Sequence, residues 1–309
     1  MKKRYYLLII LFVPLLFYGG GQLYYALTDG FTIGNIERSV EFDAPWQLRT
    51  PTNHEADLAN RILSQRFKYM DKGCQSYVFV SEDGKYVLKF IKHQRFRTKP
   101  WLDALAIIPP LQSYREERIA HKKNKLKNLL IGWQTAFNEL PRETGIVCVH
   151  LNERSGTPRT IEIIDKMGFS HLIELQNYQY MIQGKADMLE KVLKRLIVEN
   201  REDEVKLLLD RILAMVETFY MRGFADNDHA ILQNTGVIDG YPLPIDVGQF
   251  VRDPTATNSQ NYKQALFNKT YRLRNWLGER SPHLKEYLES RLKLIIGPEF
   301  ATLHPHFTV

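Results

Sequence analysis

The chain has 309 residues, of which 44% are hydrophobic and 25% charged. Those are the proportions of a globular protein, and they exclude a disordered chain or a polytopic membrane protein while leaving room for a two-lobed domain. The net charge of +7 favours acidic partners such as phosphates or anionic lipid. The basic residues are spread along the chain, with their densest runs at 92–99 and 115–127, so no specific nucleic-acid partner is expected. Two cysteines, Cys74 and Cys148, exclude a disulfide framework and a zinc site of close-spaced thiols.

Lys2-Lys3-Arg4 precedes an uncharged apolar run, and no further charge occurs until Asp29. A positive head before such a run addresses a membrane, and about 20 apolar residues suffice to cross one. Residues 1–28 therefore read as a signal anchor or a signal peptide, with residues 5–27 meeting the bilayer. The protein is expected to be membrane-anchored with its domain outside the cytoplasm, or secreted after cleavage. Residues 29–60, rich in turn formers, read as a spacer.

Tyr77–Val80 and Tyr86–Ile91 are β-rich runs joined through Asp83-Gly84, a hairpin signal. A helix is expected from about Ser113 to Leu140, stopped by Pro141. Strands follow at 145–150 and around 178–182, with a polar stretch between them to which no element is assigned. Asp187 to Glu190 has the capping-box pattern, and apolar residues then recur at helical spacing. A second amphipathic helix runs from Asn200 to Gly223. A hairpin at Asp239-Gly240 and helices near 262–277 and 282–296 complete the chain.

Lys89 shares a strand face with Val87 and Ile91, so a charged group is placed among apolar ones and requires a partner. Asn234 and Asp246, the latter in Asp246-Val247-Gly248, are separated by two short strands and supply hard oxygen donors suited to magnesium or manganese.

With Lys72-Gly73-Cys74-Gln75-Ser76, these residues resemble the protein-kinase-like superfamily. The resemblance covers roughly residues 65–250. It implies an α+β, two-lobed kinase-like fold: a small antiparallel-sheet N-lobe with one long helix (61–185) and a reduced, mostly helical C-lobe (186–309). It also implies a site for ATP with Mg2+ or Mn2+. Gly73 and Ser76 stand for the second and third glycines of the Gly-rich loop, and Asp71 departs from the first. Lys89 resembles the phosphate-binding strand lysine. Its carboxylate partner is Glu117, with Glu116 and Glu139 as alternatives. Asp228 is the catalytic base, or Asp226 instead, because six residues rather than five separate Asp228 from Asn234. Asn234 and Asp246 are the metal ligands, Asp246-Val247-Gly248 taking the place of Asp-Phe-Gly.

Past residue 250 there is no Ala-Pro-Glu signature and only about two helices, so the chain resembles the atypical, reduced members of the superfamily. The expected function is an ATP-dependent phosphotransferase acting on an unknown phosphate acceptor. The alternative is an inactive pseudokinase serving as a nucleotide-binding or protein-interaction module.

Overall fold

The computed structural model describes residues 2–38, 40–42, 45–99, 101–102, 109–152, 158–226 and 230–306. It is an α+β protein. In chain order the longer elements are α1 (Lys2–Thr28), α2 (Asn53–Leu63), β1 (Phe67–Lys72), β2 (Ser76–Ser81), β3 (Tyr86–Ile91), α3 (Pro109–Glu139), β4 (Ile146–His150), β5 (Thr160–Ile164), β6 (Ser170–Glu174) and β7 (Tyr180–Gly184). There follow β8 (Asp187–Met188), α4 (Leu189–Val198), α5 (Glu202–Met221), β9 (Phe224–Asp226), β10 (Thr235–Ile238), β11 (Tyr241–Pro244), β12 (Phe250–Arg252), α6 (Ser259–Arg280) and α7 (Pro282–Ile296). The chain divides into two compact units, one of residues 1–45, 51–122 and 150–182, the other of residues 46–50, 123–149 and 183–309.

In the first unit the strands follow the order β7-β3-β2-β1-β5-β6. Antiparallel pairing of β2 with β3 sets Tyr77 opposite Phe90 and Phe79 opposite Leu88, all with 0% exposure. Side chains alternate across a strand, so these four share one face of the sheet. Residues 28–37 cover that face. Phe31 is 4% exposed, and its ring centroid lies 5.2 Å from those of both Tyr77 and Phe79. The Tyr77 hydroxyl donates to the Gly30 carbonyl at 2.5 Å, and the Arg97 guanidinium donates to that of Gly34. Residues 29–45 of the expected spacer are thus part of this unit, and Phe31 and Ile36 are buried apolar side chains within it. Further along the same stretch, α2 starts from a reciprocal capping box between Thr52 and Glu55.

The β5–β6 hairpin occupies the polar stretch whose structure was not legible in the sequence. Its signal is the alternation of Ile161, Ile163 and Ile173, all buried, with exposed or half-buried neighbours. Ahead of all this lies α1, whose described side chains from Phe12 to Leu27 form no buried stripe: Leu15, Phe17 and Leu23 are 65%, 78% and 61% exposed. Among the described residues no helix is long and apolar enough to cross a membrane.

The second unit is mostly helical. Leu193, Leu209, Ile212, Leu273 and Leu288, from α4 to α7, form one core with their neighbours, each with 0% exposure. The capping box expected at Asp187 is not formed. Asp187 lies in β8, paired with Val237, and Met188 precedes the helix without a side-chain cap. Glu190 instead pairs with Lys194 at 2.8 Å and accepts from the Trp276 indole at 3.3 Å. β10 and β11 form the expected hairpin, turning at Asp239 (φ 50°) and Gly240 (φ 79°). Two successive positive φ values match the right-handed twist of a tight hairpin.

Candidate functional site

In the first unit, Lys89 stands opposite Val78 in the β2–β3 pairing, on the face away from Phe31. It is half-buried, between Val87 at 5% and Ile91 at 0% exposure. This is the placement expected from strand alternation.

The turn Gly73–Ser76 is held at several points. The Gly73 amide donates to the Ser76 carbonyl, and the Lys92 amide to that of Gln75, each at 2.9 Å. The Lys92 ammonium donates to the Gly73 carbonyl at 2.6 Å, and Arg95 reaches the Cys74 carbonyl and, at 3.0 Å, its Sγ. Lys92 is 6% exposed and lies 4.6 Å from the Tyr77 ring centroid. Burial, reinforced by the nearby Lys72 and Arg95 charges, pushes its ammonium down to about 8. Asp71, at the departing glycine position, follows a register shift in β1, and its carboxylate accepts from the Lys72 amide at 2.7 Å.

Glu116 and Glu117 are exposed on α3, and Glu116 accepts from the Gln112 amide at 3.1 Å. Glu139 is exposed and belongs to the second unit, where it pairs with Arg252 at 3.1 Å.

The second unit brings Asn234 and Asp246 to the same end of the β10–β11 hairpin. Thr235 pairs with Pro244, and one step further the Ile245 amide donates to the Asn234 carbonyl at 2.8 Å. Both residues are half-buried. The Asp246 carboxylate accepts from the Gly248 amide at 3.1 Å, which fixes the turn after it. Val247, at the phenylalanine position of the kinase triplet, is 1% exposed. Strands β12 and β9 then pair Phe250 with Asp226, so the backbone returns Asp226 to the residues just beyond Asp246. Asp228 lies outside the described residues.

Two residues that the sequence reading did not select hold this arrangement. Gln183, with 0% exposure, donates its amide N–H groups to the Thr144 carbonyl at 2.6 Å and the Pro244 carbonyl at 2.9 Å, clasping the strand that leads to Asp246. Gly132 on α3 lies directly against the triplet: a Cβ there would stand 2.4 Å from the Val247 carbonyl oxygen. The one available signal for Gly132 was its isolation inside a long helical pattern.

An amide oxygen and a carboxylate, both hard donors, fit a magnesium-sized cation. Among the described residues no group of three or more His, Cys, Asp or Glu could hold a metal alone. Magnesium held by one or two protein oxygens commonly keeps several waters in its shell.

No protein-family model and no curated protein matches the chain. Solved structures similar to it include two of WbdD: one in complex with a kinase inhibitor (18% identity, TM-score 0.34, covering 76% of this chain and 46% of that one), and one described as a bifunctional kinase-methyltransferase (17% identity, TM-score 0.34, covering 87% and 50%). The chain thus spans about half the length of the WbdD chains it matches. At these TM-scores the likeness carries no weight for function.

Proposed function

We propose that the protein is an atypical kinase-like phosphotransferase using ATP and Mg2+ or Mn2+, attached to a membrane through residues 5–27 with its domain outside the cytoplasm. The observation that carries the reading is the β10–β11 hairpin, which returns the backbone leading to Asp246 to that of Asn234, with Gln183 holding the strand before Asp246 and Gly132 packed against the turn after it. Phosphoryl transfer asks the protein chiefly for positioning and charge neutralisation. In this reading Asn234 and Asp246 hold the metal, which neutralises phosphate charge. Lys89 binds the phosphates, with Gly73 and Ser76 in the turn over them. Asp228, or Asp226, accepts the proton of the attacking hydroxyl as the terminal phosphoryl group passes to it and ADP leaves. Membrane attachment is supported by the all-round exposure of apolar side chains along α1 from Phe12 to Leu27. The first part of that apolar run lies outside the described side chains.

The test is a thermal-shift titration with ATP and Mg2+, run alongside a phosphoryl-transfer assay. Stabilisation and turnover that both disappear in Asp246→Ala support the enzyme. Absence of both in the wild type sinks it.

A second reading, an inactive nucleotide-binding module, is favoured by the Gly73–Ser76 turn, whose carbonyls are taken by Lys92 and Arg95. It predicts stabilisation without turnover.

A further inference from the structure

The turn joining β5 to β6 presents two large apolar side chains to solvent, Met167 at 50% and Phe169 at 60% exposure. Single exposed apolar residues are commonplace and need no explanation. Three features set this pair apart.

The first is rigidity. Asp165 Oδ1 accepts from the Met167 and Phe169 amides, both at 2.9 Å, while Oδ2 meets His171 Nε2 at 2.8 Å. Gly168 takes the left-handed conformation (φ 91°) that lets the loop close, and its amide bonds to the Asp165 carbonyl at 3.0 Å. The two side chains are therefore displayed on a fixed frame and do not collapse onto the sheet.

The second is position. The neighbouring Lys166 extends its ammonium to the Ala26 carbonyl at 2.9 Å and to Asp29 at 3.0 Å. The tip is thereby fastened to the last turn of α1. A hydrocarbon core about 30 Å thick takes up about 20 helical residues, so a span entered at Tyr5 ends near Tyr24. Ala26 lies two residues further, a rise of about 3 Å. Tyr24 and Tyr25, both exposed, mark the same level, where aromatic rings favour the water–lipid boundary.

The third is charge. Lys72 joins the cluster, 2.6 Å from Asp29 and 4.1 Å from the Tyr25 ring centroid. Lys72 and Lys166 thus place two ammonium groups at the depth of lipid phosphates, with Asp29 and the tip's own Asp165 as the carboxylates beside them.

We propose that the Met167–Phe169 tip is a second membrane contact, seated at the headgroup–acyl boundary of the bilayer that α1 enters. The inference rests on the reading of α1 as a membrane helix. Two side chains bind a bilayer weakly on their own, but a tip fastened to an inserted helix meets the lipid at high effective concentration. Its effect is to orient the first unit, with the β1–β2 turn at the same end of the sheet as the tip, since β1 and β5 run parallel.

The test uses the full chain with Cys74→Ser and Cys148→Ser, reconstituted in phosphatidylcholine–phosphatidylglycerol vesicles. An environment-sensitive fluorophore is placed at Met167→Cys, at Phe17→Cys in α1, or at Lys85→Cys on the opposite end of the sheet, and quenched by lipids carrying a nitroxide near the carbonyl. The expected result is quenching at 17 and 167 that exceeds that at 85 at least about twofold, and a fall at 167 when Phe169→Ser is added. Quenching at 17 with 167 no different from 85 overturns the tip contact and leaves the membrane helix standing. No quenching at 17 overturns both. Quenching at 167 that Phe169→Ser leaves unchanged shows the dye inserting, and overturns the tip contact.

Discussion

A Cβ placed on Gly132 would lie 2.4 Å from the carbonyl oxygen of Val247 and 2.9 Å from the carbonyl carbon of Gly248. Helix α3 and the Asp246-Val247-Gly248 turn therefore meet backbone to backbone, with no side chain to give way. Gly132→Ala raises helix propensity by up to about 1 kcal/mol, yet it forces one backbone off the other, an overpacking cost of about 1–3 kcal/mol. The expected outcome is a net loss of stability in urea unfolding, together with weaker Mg2+–ATP stabilisation, because Asp246 moves with the turn.

Gln183 offers a separate test of the same turn. Gln183→Leu keeps the volume and leaves the Thr144 and Pro244 carbonyls without this buried donor, at a cost of about 2–3 kcal/mol. Thermal unfolding should register that loss. Gln183→Glu should be worse than Leu, since a buried carboxylate beside two carbonyl oxygens is repelled and unpaired.

Lys89 and Asp246 are expected to fail differently. Lys89→Met removes a phosphate contact and leaves the metal ligands in place, so Mg2+–ATP stabilisation should weaken while turnover falls by about 100-fold or more. Asp246→Asn should abolish the Mg2+ dependence of the thermal shift. Equal behaviour of the two variants would separate Lys89 from the proposed role.

Acid stability should fall in two steps. Burial holds the His93 imidazole down at about 4, against its ordinary 6.5. Its neutral form belongs to the fold, so stability is full above pH 6.5 and declines as pH drops towards 4, by about 3 kcal/mol. For Asp29, burial alone would raise the carboxyl, but hydrogen bonds from Lys72, Lys166 and Tyr69 outweigh it and hold the group at about 2 against 3.8. That contribution, about 2 kcal/mol, is present above pH 3.8 and is lost as pH falls through 2. Urea midpoints followed against pH should show His93→Gln flattening the upper limb and Asp29→Asn the lower.

Local patterns in the sequence recovered much of the fold. Asp83-Gly84 and Asp239-Gly240 marked their hairpins because tight turns need a residue tolerant of positive φ, and the helix from Pro282 to Ile296 was bounded by its proline and glycine. The hairpin between Asn234 and Asp246 was legible because both of its strands and its turn are local in sequence. What stayed hidden depended on partners distant in sequence. Phe31 looked like a loop residue until Tyr77 and Phe79 surrounded it, and Gln183 looked like an ordinary strand residue until Pro244 lay beside it. Asp187 had the local form of a cap, but pairing with Val237 claimed its backbone first. Glu139 meets Arg252, a contact formed only when β12 is in place.

The Gly73–Ser76 turn, held by Lys92 and Arg95, has a thermodynamic consequence. A loop that is mobile before binding loses conformational entropy when a ligand orders it. Here that ordering takes place during folding, so a ligand meeting this turn meets a formed surface and surrenders little further freedom. The same fastening limits how far the turn can follow a ligand downward. Association at this edge of the sheet should accordingly show a small entropic penalty and little dependence of its rate on loop motion, in the manner of a fixed socket.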